Sequence, residues 1–413
     1  MRHKQQMKIL VLNAGSSSLK CELYDAGGDQ KPLSVWQAQA DWKELPGPAS
    51  IRVKREGKPG QSSEVVVESL EHTVEHLLQG VIKGKQAAIR NFQEIKAAGH
   101  RVVHGGGRFR QSVKLTDEVR QGILDLAPFA PLHNPLALEA IEASRKVLGP
   151  SAEQIAVFDT SFHSTLPPES YLYPGPNTWA ERGLRRYGFH GISHQYLSKR
   201  AAELVEPILQ KAASELRIIT CHLGNGCSLC AIKGGVSVDT TMGFTPLEGL
   251  MMGSRSGTID PGLLLYLMKH DSRSADEVDR MLNHQSGLLG LSGISSDMRQ
   301  VMAAAENGDA NARQALDVYV YRLAYFIAAL IPSLGGLDAL IFSGGVGENA
   351  GAIRKRTCER LAWLGITVDD FPSNGATHDD CIISRHGAMP AVAVIHTKEN
   401  YQIALECLKL IET

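Results

Sequence analysis

The sequence has no excess charge of either sign. Across 413 residues, 43 Lys and Arg side chains face 44 Asp and Glu, for a formal net charge of −1 at pH 7. Binding to nucleic acid or to an anionic membrane through charge needs a basic surface, which this composition does not supply. Hydrophobic residues make up an ordinary 43% of the chain, and its length predicts two or three domains with ample core. We therefore expect a globular protein that binds neither nucleic acid nor membranes.

Long hydrophobic segments are also lacking. The basic start, residues 1–4, is followed by an apolar run that stops at Asn13, which is too short for the core of a signal peptide. The most apolar stretch, residues 323–331, has Asp317 and Arg322 just before it, which favours a core helix over a membrane span. We expect a cytoplasmic protein.

The seven cysteines are odd in number and scattered. Cys227 and Cys230 form a C-x-x-C pair, which can indicate zinc or redox chemistry. The pair falls on a predicted strand, where positions three apart face opposite sides, and no second pair completes a structural zinc site. We interpret the cysteines as core residues in a reducing compartment.

What the sequence does contain is a polar, glycine-bearing turn between two predicted strands. Residues 9–12 are apolar and residues 21–24 alternate, and between them lies NAGSSSLK, residues 13–20. Gly15 lets the backbone approach a ligand, and the serines with Lys20 supply donors and a positive charge that suit a phosphate. An ordinary serine-rich turn has the same appearance, so this stretch alone does not establish a site.

A second copy of this pattern makes the phosphate interpretation stronger. With Lys8 aligned on Arg217, an offset of 209, Asn13 falls on His222. The same offset pairs Gly15 with Gly224, Ser17 with Gly226 and Leu23 with Ile232. Two such units half a chain apart predict a duplicated fold, with a polyphosphate held from both halves.

Two arginines lie in segments rich in small residues. Arg101 is on an apolar strand that runs into three glycines, an arrangement that suits an anionic ligand. Pairing of Arg101 with a surface carboxylate explains the segment equally well. Arg255 lies in a glycine- and serine-rich loop, from which it could reach into a cleft.

Other polar residues adjoin predicted strands and helices. Asp159 follows a strand, where polar residues of α/β proteins tend to line the cleft. His133 precedes a helix whose N-terminus favours anions, although a single histidine there is more often structural. His190 and His194 are four residues apart, but a glycine lies between them and the Glu of a zinc helix is missing, so we do not expect zinc.

A glycine-rich segment near the C-terminal end predicts a nucleotide contact. Residues 337–342 form a predicted strand, residues 343–349 a glycine-rich turn, and a helix follows through Leu361. The segment is neither a G-x-G-x-x-G fingerprint nor a Walker loop. A last strand, residues 392–395, leads toward Glu399 and a final helix.

Together these stretches resemble the acetokinase family, within the superfamily of acetate and sugar kinases, chaperones and actin. They run in the family's order along essentially the whole chain: NAGSSSLK, HRVVHGG, FDTSFH, YGFHGISH, HLGNGCS, DTTMGFTPLEGLMMGSRSG, SSDMR, FSGGVGEN and TKEN. The resemblance implies an α/β fold of two duplicated ribonuclease H-like (actin-like ATPase) domains with an ATP cleft between them. It implies residues 1–159 with 401–413 as one domain, residues 160–400 as the nucleotide-binding domain, and a homodimer.

The resemblance also implies a role for individual residues. Asn13 and Glu399 would bind Mg²⁺, for which Mn²⁺ could substitute. The residues implied as catalytic are Asp159, His190 and Arg255, with His133 helping to position the phosphoryl group. The residues implied for acetate are Arg101 at the carboxylate and Val103, Phe189 and Pro246 around the methyl group. Those implied for ATP or ADP are Lys20, His222, Leu223, Gly224, Asn225, Gly226, Asp297, Met298, Arg299, Gly345, Val346, Gly347, Glu348 and Asn349.

Some positions depart from the family's pattern. Arg108 and Thr258 stand where we expect acidic residues, and Lys398 and Asn400 flank Glu399 where we expect Asn and Glu. None of these changes removes a catalytic group.

The implied reaction is phosphoryl transfer from ATP to acetate. Acetate is already ionised at pH 7, so no general base is needed. The difficulty is that a negatively charged carboxylate must approach the negatively charged phosphates of ATP. Catalysis therefore depends on positioning the reactants and on neutralising these charges. We expect Asp159 to order an arginine or the hydrated metal instead of taking a proton.

Two alternatives remain open from the sequence. A propionate kinase or another short-chain acyl kinase would use the same residues, because one methylene in a pocket is worth only about 1–3 kcal/mol. An ATP-switched chaperone or actin-like binding protein would share the fold, but it gives no reason for Arg101 and Arg255 in loops of small residues.

Overall fold

The computed structural model describes residues 7–15, 17–27, 30–131, 133–369 and 379–412. By its internal contacts the chain divides into two compact units. Unit 1 comprises Met1–Ser161 and Lys398–Thr413, and unit 2 comprises Phe162–Thr397. The basic start at residues 1–4 and Ser16 of the first glycine turn lie outside the described residues.

The described strands, in chain order, are β1 (Met7–Ala14), β2 (Ser18–Gly27), β3 (Gln30–Trp42), β4 (Gly47–Arg55), β5 (Gln61–Val67), β6 (Ile95–Val102), β7 (Val113–Lys114), β8 (Glu153–Phe158), β9 (Arg217–Leu223), β10 (Cys227–Lys233), β11 (Val236–Thr240), β12 (Ala339–Ser343), β13 (Cys381–Ile382) and β14 (Ala391–Val394). The described α-helices are α1 (Leu70–Ile82), α2 (Asp117–Asp125), α3 (Asn134–Leu148), α4 (Pro168–Tyr171), α5 (Thr178–Glu181), α6 (Gly191–Leu209), α7 (Pro261–His270), α8 (Ala275–His284), α9 (Gly287–Ser292), α10 (Met298–Glu306), α11 (Ala310–Leu334), α12 (Gly344–Asn349), α13 (Gly351–Arg360) and α14 (Glu399–Glu412).

Unit 1 is built on a sheet of order β5-β4-β3-β2-β1-β6-β8-β7. Strands β1 to β5 form an antiparallel meander, and β6 and β8 continue the sheet parallel to β1. Helices α1 and α3 pack on each other and on the sheet, and α14 packs on β1 and β6. Gly99 in β6 makes the last contact possible, because a Cβ there would overlap Cys407 and Ile403 of α14.

Unit 2 repeats the central topology of unit 1. Its sheet has the order β11-β10-β9-β12-β14-β13. In both units a central strand pairs with its hairpin partner in antiparallel fashion and with the next strand in parallel fashion. Strands β9, β10, β11, β12 and β14 therefore correspond to β1, β2, β3, β6 and β8. The predicted duplication and the ribonuclease H-like fold class are confirmed.

The single offset of 209 is correct for the first strand of the repeat and wrong for the second. Leu19 pairs with Ala14 in the first hairpin, and Cys227 pairs with Leu223 in the second. The second turn is one residue shorter, so the offset falls to 208 after it. Lys20 therefore corresponds to Ser228, a position that the constant offset misses.

Two local predictions were also wrong. The helical spacing of Leu70, Val74, Leu77 and Leu78 predicts a helix with Gly80 as its stop, but α1 runs to Ile82. The burial of Val81 outweighs the glycine cost of about 1 kcal/mol. Residues 344–349 are not a turn but the short helix α12.

The third correction concerns the start of α3. Asn134 followed by Pro135 predicts a helix capped by Asn134, but His133 is the N-cap residue and the side chain of Asn134 does not cap. Asn134 instead joins the backbone of His104, accepting from its N–H at 3.1 Å and donating to its carbonyl at 3.0 Å.

Helix α11 is the one helix among the described residues that is long and apolar enough to cross a membrane. Core residues lie along it, including Leu316, Val320, Leu323 and Ile327. It packs against α9, α10, α13 and β10, which is the position of a core helix, as the sequence predicts.

Candidate active site

Four of the predicted site residues meet at one edge of the unit 1 sheet. Asn13 is near the end of β1, Arg101 is in β6, and Asp159 directly follows β8. Parallel strands bring their carboxyl ends to the same edge, and Glu399, the first residue of α14, joins them there.

The centre of this cluster is the ion pair of Arg101 and Asp159. Arg101 Nε lies 3.2 and 3.1 Å from the two Asp159 oxygens, and Nη2 lies 2.5 Å from Oδ2. Arg101 Nη1 donates to Asn13 Oδ1 at 3.3 Å, and Asn13 Nδ2 donates to Glu399 Oε2 at 3.4 Å. Asp159 therefore orders an arginine, which is the first of the two roles expected for it.

The charges of Asp159 and Glu399 stabilise that of Arg101. The Asp159 side chain is only 2% exposed. Burial opposes the charge on Arg101, but Asp159 and then Glu399 outweigh it and raise the pKa of Arg101 above its usual value. The guanidinium is therefore a fixed cation at every working pH.

Asn13 and Glu399 offer oxygen ligands suited to Mg²⁺. The described residues contain no group of three or more His, Cys, Asp or Glu side chains that could hold a metal ion. Mg²⁺ commonly takes one or two carboxylates and completes its shell with water and substrate phosphates. The donor set of one carboxylate and one amide oxygen fits that pattern.

The remaining unit 1 predictions lie on neighbouring elements. Val103 directly follows β6 and is buried, with 6% of its surface exposed. His133 is half-buried at the start of α3. Lys20 is exposed on β2, directly opposite Asn13 in the β1–β2 pairing.

In unit 2, His190 has an unusual backbone conformation. Its φ of 55° lies in the left-handed region, and it is the N-cap residue of α6. Such a conformation costs free energy in a residue other than glycine and is found at functional sites. His190 Nδ1 lies 2.9 Å from Ser228 Oγ.

Gly226 shows that His190 and Arg255 face the same point. A Cβ built on Gly226 would lie 3.3 Å from His190 Cε1, 3.4 Å from its Nε2 and 3.7 Å from Arg255 Nη1. Arg255 Nη1 also donates to the carbonyl of Pro246 at 3.2 Å. The structure thus brings together Gly226, His190, Arg255 and Pro246, four of the predicted site residues, while Phe189 is buried beside His190.

Three of the predicted nucleotide segments lie in unit 2. The first is the turn after β9, which runs from His222 and Leu223 through Gly224, Asn225 and Gly226. The carbonyl of Asn225 accepts from Gly253 N–H at 2.9 Å, and a Cβ on Gly253 would overlap the Asn225 side chain. This contact holds the Arg255 loop against the turn.

The second segment is α12, which contains Gly345, Val346, Gly347, Glu348 and Asn349. Glu348 Oε1 accepts from the N–H of Gly344 and of Thr397, both at 2.9 Å. The carboxylate of Glu348 therefore shapes the segment, while Gly345 is exposed.

The third predicted segment, Asp297–Arg299, begins a helix. Asp297 caps α10 by accepting from Arg299 N–H at 2.9 Å, and Met298 is buried. The Arg299 side chain is 88% exposed and pairs with Asp297, with Nη2 2.5 Å from Oδ2. That pair holds the pKa of Asp297 below its usual value.

Two hydroxyl residues of this region received no role from the sequence. Ser228 bridges His190 and His194, and Ser193 Oγ lies 2.8 Å from His222 Nδ1 and 3.0 Å from Thr397 Oγ1. A serine near a histidine in space leaves no spacing signal in the sequence. Only the position of Ser228 in the second hairpin could have pointed to it.

The repeated sheet topology places the protein among the duplicated α/β ATPases with an actin-like fold. Within this class the family can be identified, because residues 8–405 match the model of the acetokinase family. Acetate kinase of Gloeobacter violaceus is 50% identical over 409 residues, covering 97% of this chain and 98% of the relative. The chain therefore belongs to the acetokinase family and is a phosphotransferase with a carboxyl group as acceptor.

Solved structures agree with this assignment. Acetate kinase of Porphyromonas gingivalis matches with a TM-score of 0.88 and 38% identity, covering 98% of this chain and 100% of that one. A propionate kinase from Francisella tularensis matches with a TM-score of 0.86 and 37% identity, covering 97% and 98%. Similarity of structure alone does not separate the two substrates.

Proposed function

We propose that this protein is an acetate kinase, which reversibly transfers the γ-phosphoryl group of ATP to acetate by direct in-line transfer. Membership of the acetokinase family supports this reaction, as does the 50% identity to an acetate kinase. The structural observation that carries the proposal is the ordered Arg101, a permanent cation at the edge of the unit 1 sheet.

Arg101 is held so that part of its donor set can bind a carboxylate. A guanidinium has five N–H donors in a rigid fork. Asp159 takes the side formed by Nε and Nη2, and Asn13 accepts from Nη1, so that one N–H of Nη1 and one of Nη2 remain for acetate. Because Asp159 is already paired with a cation, it is not available as a base, and ionised acetate needs none.

His190 and Arg255 would stabilise the transferring group in unit 2. Phosphoryl transfer depends on positioning and on donors aimed at the developing charge. The two side chains face one point beside Gly226, so both can donate to equatorial oxygens of the phosphoryl group there. His133 would help to position the group from the start of α3.

Mg²⁺ would be held by Asn13 and Glu399 and would neutralise the phosphate oxygens of ATP, with Mn²⁺ as a substitute. The nucleotide would be held by Lys20, by the turn after β9, by Asp297–Arg299 and by α12. These assignments follow the family pattern, and the exposed Gly345 and the ordered turn after β9 support them.

Acetate is the proposed acceptor, with propionate as the second candidate. Val103, Phe189 and Pro246 would surround the methyl group, and the bulk of Val103 favours the shorter acid. The test is to incubate the protein with ATP, Mg²⁺ and a series of C1 to C4 acids, and to trap acyl phosphate with hydroxylamine. Acetate should give the most hydroxamate, propionate less and butyrate much less.

Two outcomes of this assay would overturn the proposal. ATP hydrolysis without acyl phosphate would reject the kinase function. Faster turnover of butyrate than of acetate would reject the methyl pocket.

The cytoplasm is the proposed location and a homodimer the proposed assembly. Every residue of α7 is at least partly exposed, with Leu265 and Tyr266 each 55% exposed. An apolar helix this exposed supports contact with a second copy. Sedimentation at micromolar concentration should give the mass of a dimer, and Leu265→Glu should shift it toward the monomer.

A further inference from the structure

Ser228 lies between two histidines of unit 2. Its Oγ is 2.9 Å from His190 Nδ1 and 2.8 Å from His194 Nε2, and the residue is fully buried. His194 Nδ1 lies 2.7 Å from Thr220 Oγ1. The four side chains of Thr220, His194, Ser228 and His190 thus form one line of hydrogen bonds.

His194 stays neutral in its surroundings. It is fully buried, and burial first, then the nearby His163 and His222, hold its pKa well below the usual value. A neutral imidazole has one N–H donor and one acceptor nitrogen. The proton of His194 is therefore either on Nε2, toward Ser228, or on Nδ1, toward Thr220.

The single hydroxyl proton of Ser228 links the two rings. If His194 Nε2–H donates to Ser228, the hydroxyl proton of the serine is available for His190 Nδ1, and with that bond formed the proton of a neutral His190 is on Nε2. If His190 Nδ1–H donates to Ser228, as it must when His190 is an imidazolium, the serine donates to His194 Nε2. His194 then donates from Nδ1 to Thr220.

The Nε2 side of His190 is the side that matters for the reaction. That nitrogen lies 3.4 Å from the position of a Cβ built on Gly226, and Arg255 Nη1 lies 3.7 Å from the same position. An anionic oxygen placed there needs donors, and of the two ring nitrogens of His190 only Nε2 can supply one, because Nδ1 lies against Ser228. A neutral His190 with its proton on Nδ1 would present a lone pair to the anion instead.

We propose that Ser228 is a positioning residue for phosphoryl transfer, which, together with His194, keeps Nε2–H of His190 aimed at the transferring group. This inference rests on the proposed catalytic role of His190. When His190 is neutral, Ser228 donates to its Nδ1, and the single ring proton of His190 is then on Nε2. When His190 gains a second proton, the same hydroxyl reverses and His194 changes tautomer without gaining charge.

Other groups around His190 bear on its titration. The His222 ring centroid is 4.4 Å from that of His190, and Arg255 faces the same point beside Gly226. His163 is 5.7 Å from His194, centroid to centroid. A substitution at Ser228 keeps all of these groups. A difference in pH profile between Ser228→Ala and the unchanged protein is therefore due to the serine.

The matched control is Ser237, a second fully buried serine bonded to a buried histidine. Its Oγ lies 2.9 Å from His163 Nδ1, and His163 Nε2 lies 3.1 Å from the carbonyl of Phe189. In Ser237→Ala, His163 keeps its bond to that carbonyl. General damage from removing a buried hydroxyl should therefore appear in both variants, whereas loss of the His190 proton position should appear only in Ser228→Ala.

The experiment combines kinetics with ¹⁵N NMR of the imidazoles. Ser228→Ala should lower kcat by roughly 10- to 100-fold, the scale seen when an orienting partner is removed, with little change in KM for ATP or acetate. The pH profile of kcat should shift, and the ¹⁵N signals of His190, assigned with His190→Ala, should change from an Nε2–H tautomer to a mixture. Ser228→Thr, or Ser228→Cys if the extra methyl group is not tolerated, should restore part of the rate.

Several results would overturn the inference. One is a normal kcat, pH profile and His190 tautomer in Ser228→Ala. Equal losses in Ser228→Ala and Ser237→Ala with unchanged His190 signals would also reject it. A normal kcat in His190→Ala would instead reject the proposed role of His190, and the NMR comparison would still show whether Ser228 sets its tautomer.

Discussion

Arg101 and Asp159 lie side by side, with Arg101 Nε within 3.2 Å of both carboxylate oxygens and Nη2 2.5 Å from Oδ2. Removing one partner of a buried ion pair costs about 3–5 kcal/mol, because the other charge is left without compensation. The arginine is thus oriented by this carboxylate, with Asn13 Oδ1 as a second partner 3.3 Å from Nη1.

The two residues of this pair should act on acetate binding together. Arg101→Ala should raise KM for acetate strongly with a smaller fall in kcat, as expected when ground-state binding is lost. Asp159→Asn should also raise this KM, because the guanidinium loses its fixed orientation. The double variant should be less impaired than the two losses added together, since both act through one group. Strict additivity in steady-state kinetics would contradict this coupling.

Arg255 should act on the rate more than on binding. Arg255→Ala should lower kcat by about 10³-fold, the scale of an arginine lost from a transferring phosphoryl group, and added guanidine should restore part of the rate. KM for ATP should change little. Arg280→Ala, which removes an exposed arginine of the same unit, is the control and should behave like the unchanged protein. A near-normal kcat in Arg255→Ala would make its loop structural.

Gly226 should tolerate no side chain if His190 and Arg255 act beside it. A Cβ there would lie 3.3 to 3.4 Å from the His190 ring, a contact tight enough to displace the imidazole. Gly226→Ala should lower kcat about tenfold or more, since a shift of 1 Å can cost 100-fold. Gly107→Ala is the control, because no atom lies within 4 Å of its added Cβ. Equal kcat values of Gly226→Ala and Gly107→Ala would contradict the inference that His190 and Arg255 act beside Gly226.

Glu399 should set the metal requirement. Glu399→Gln should raise the Mg²⁺ concentration needed for half-maximal activity, since hard cations prefer carboxylate oxygens. Glu412→Gln changes an exposed residue of the same helix and should leave the Mg²⁺ titration unaltered. If both variants titrate alike, Glu399 is a structural partner of Asn13 and not a ligand.

Buried histidines should make the protein less stable in mild acid. Burial lowers the pKa of His100 and of His163 to about 4, while an unfolded histidine titrates near 6.5. Between pH 6.5 and 4 the unfolded chain binds more protons, so the free energy of unfolding falls as the pH falls. From pH 7 to pH 5 the loss is roughly 2 kcal/mol for each histidine.

The measurement is urea unfolding at pH 7 and pH 5, followed by circular dichroism. His100→Gln should reduce the pH dependence, because glutamine can still donate to Gln154, the 2.8 Å partner of His100, and does not titrate. His270→Gln, at an exposed position, should not. Identical pH dependence in all three proteins would show that His100 is not the source.

The strands and the duplication could be predicted from the sequence because short apolar runs carry their signal locally. The strand at residues 9–12 and its copy after Arg217 both form as predicted. The glycine-rich α12 could not, because glycine favours no helix and the segment is fixed by contacts far along the chain. Glu348, for example, is bonded to Thr397, 49 residues later.

The departures from the family pattern also needed the structure. Asn400 Nδ2 donates to Glu22 Oε2 at 3.0 Å, and Glu22 is buried, so a glutamate at position 400 would face a second carboxylate. Thr258 Oγ1 accepts from Gly249 N–H at 2.9 Å, a bond that closes the Arg255 loop. Arg108 donates to the carbonyl of Glu118. Each reason lies in a contact elsewhere in the chain, 9 residues away for Thr258, 10 for Arg108 and 378 for Asn400.

Helix α14 belongs to unit 1, although the whole of unit 2 precedes it in the chain. During synthesis, the strands of unit 1 leave the ribosome first. More than half of the protein is then translated before α14 can cover β1 and β6. Unit 2 is one continuous segment and can complete its core earlier. The half that is translated first is therefore the half that matures last, and Glu399 arrives only with the closing helix. A nascent chain without α14 should expose the face around Gly99 to chaperones and proteases until that helix is made.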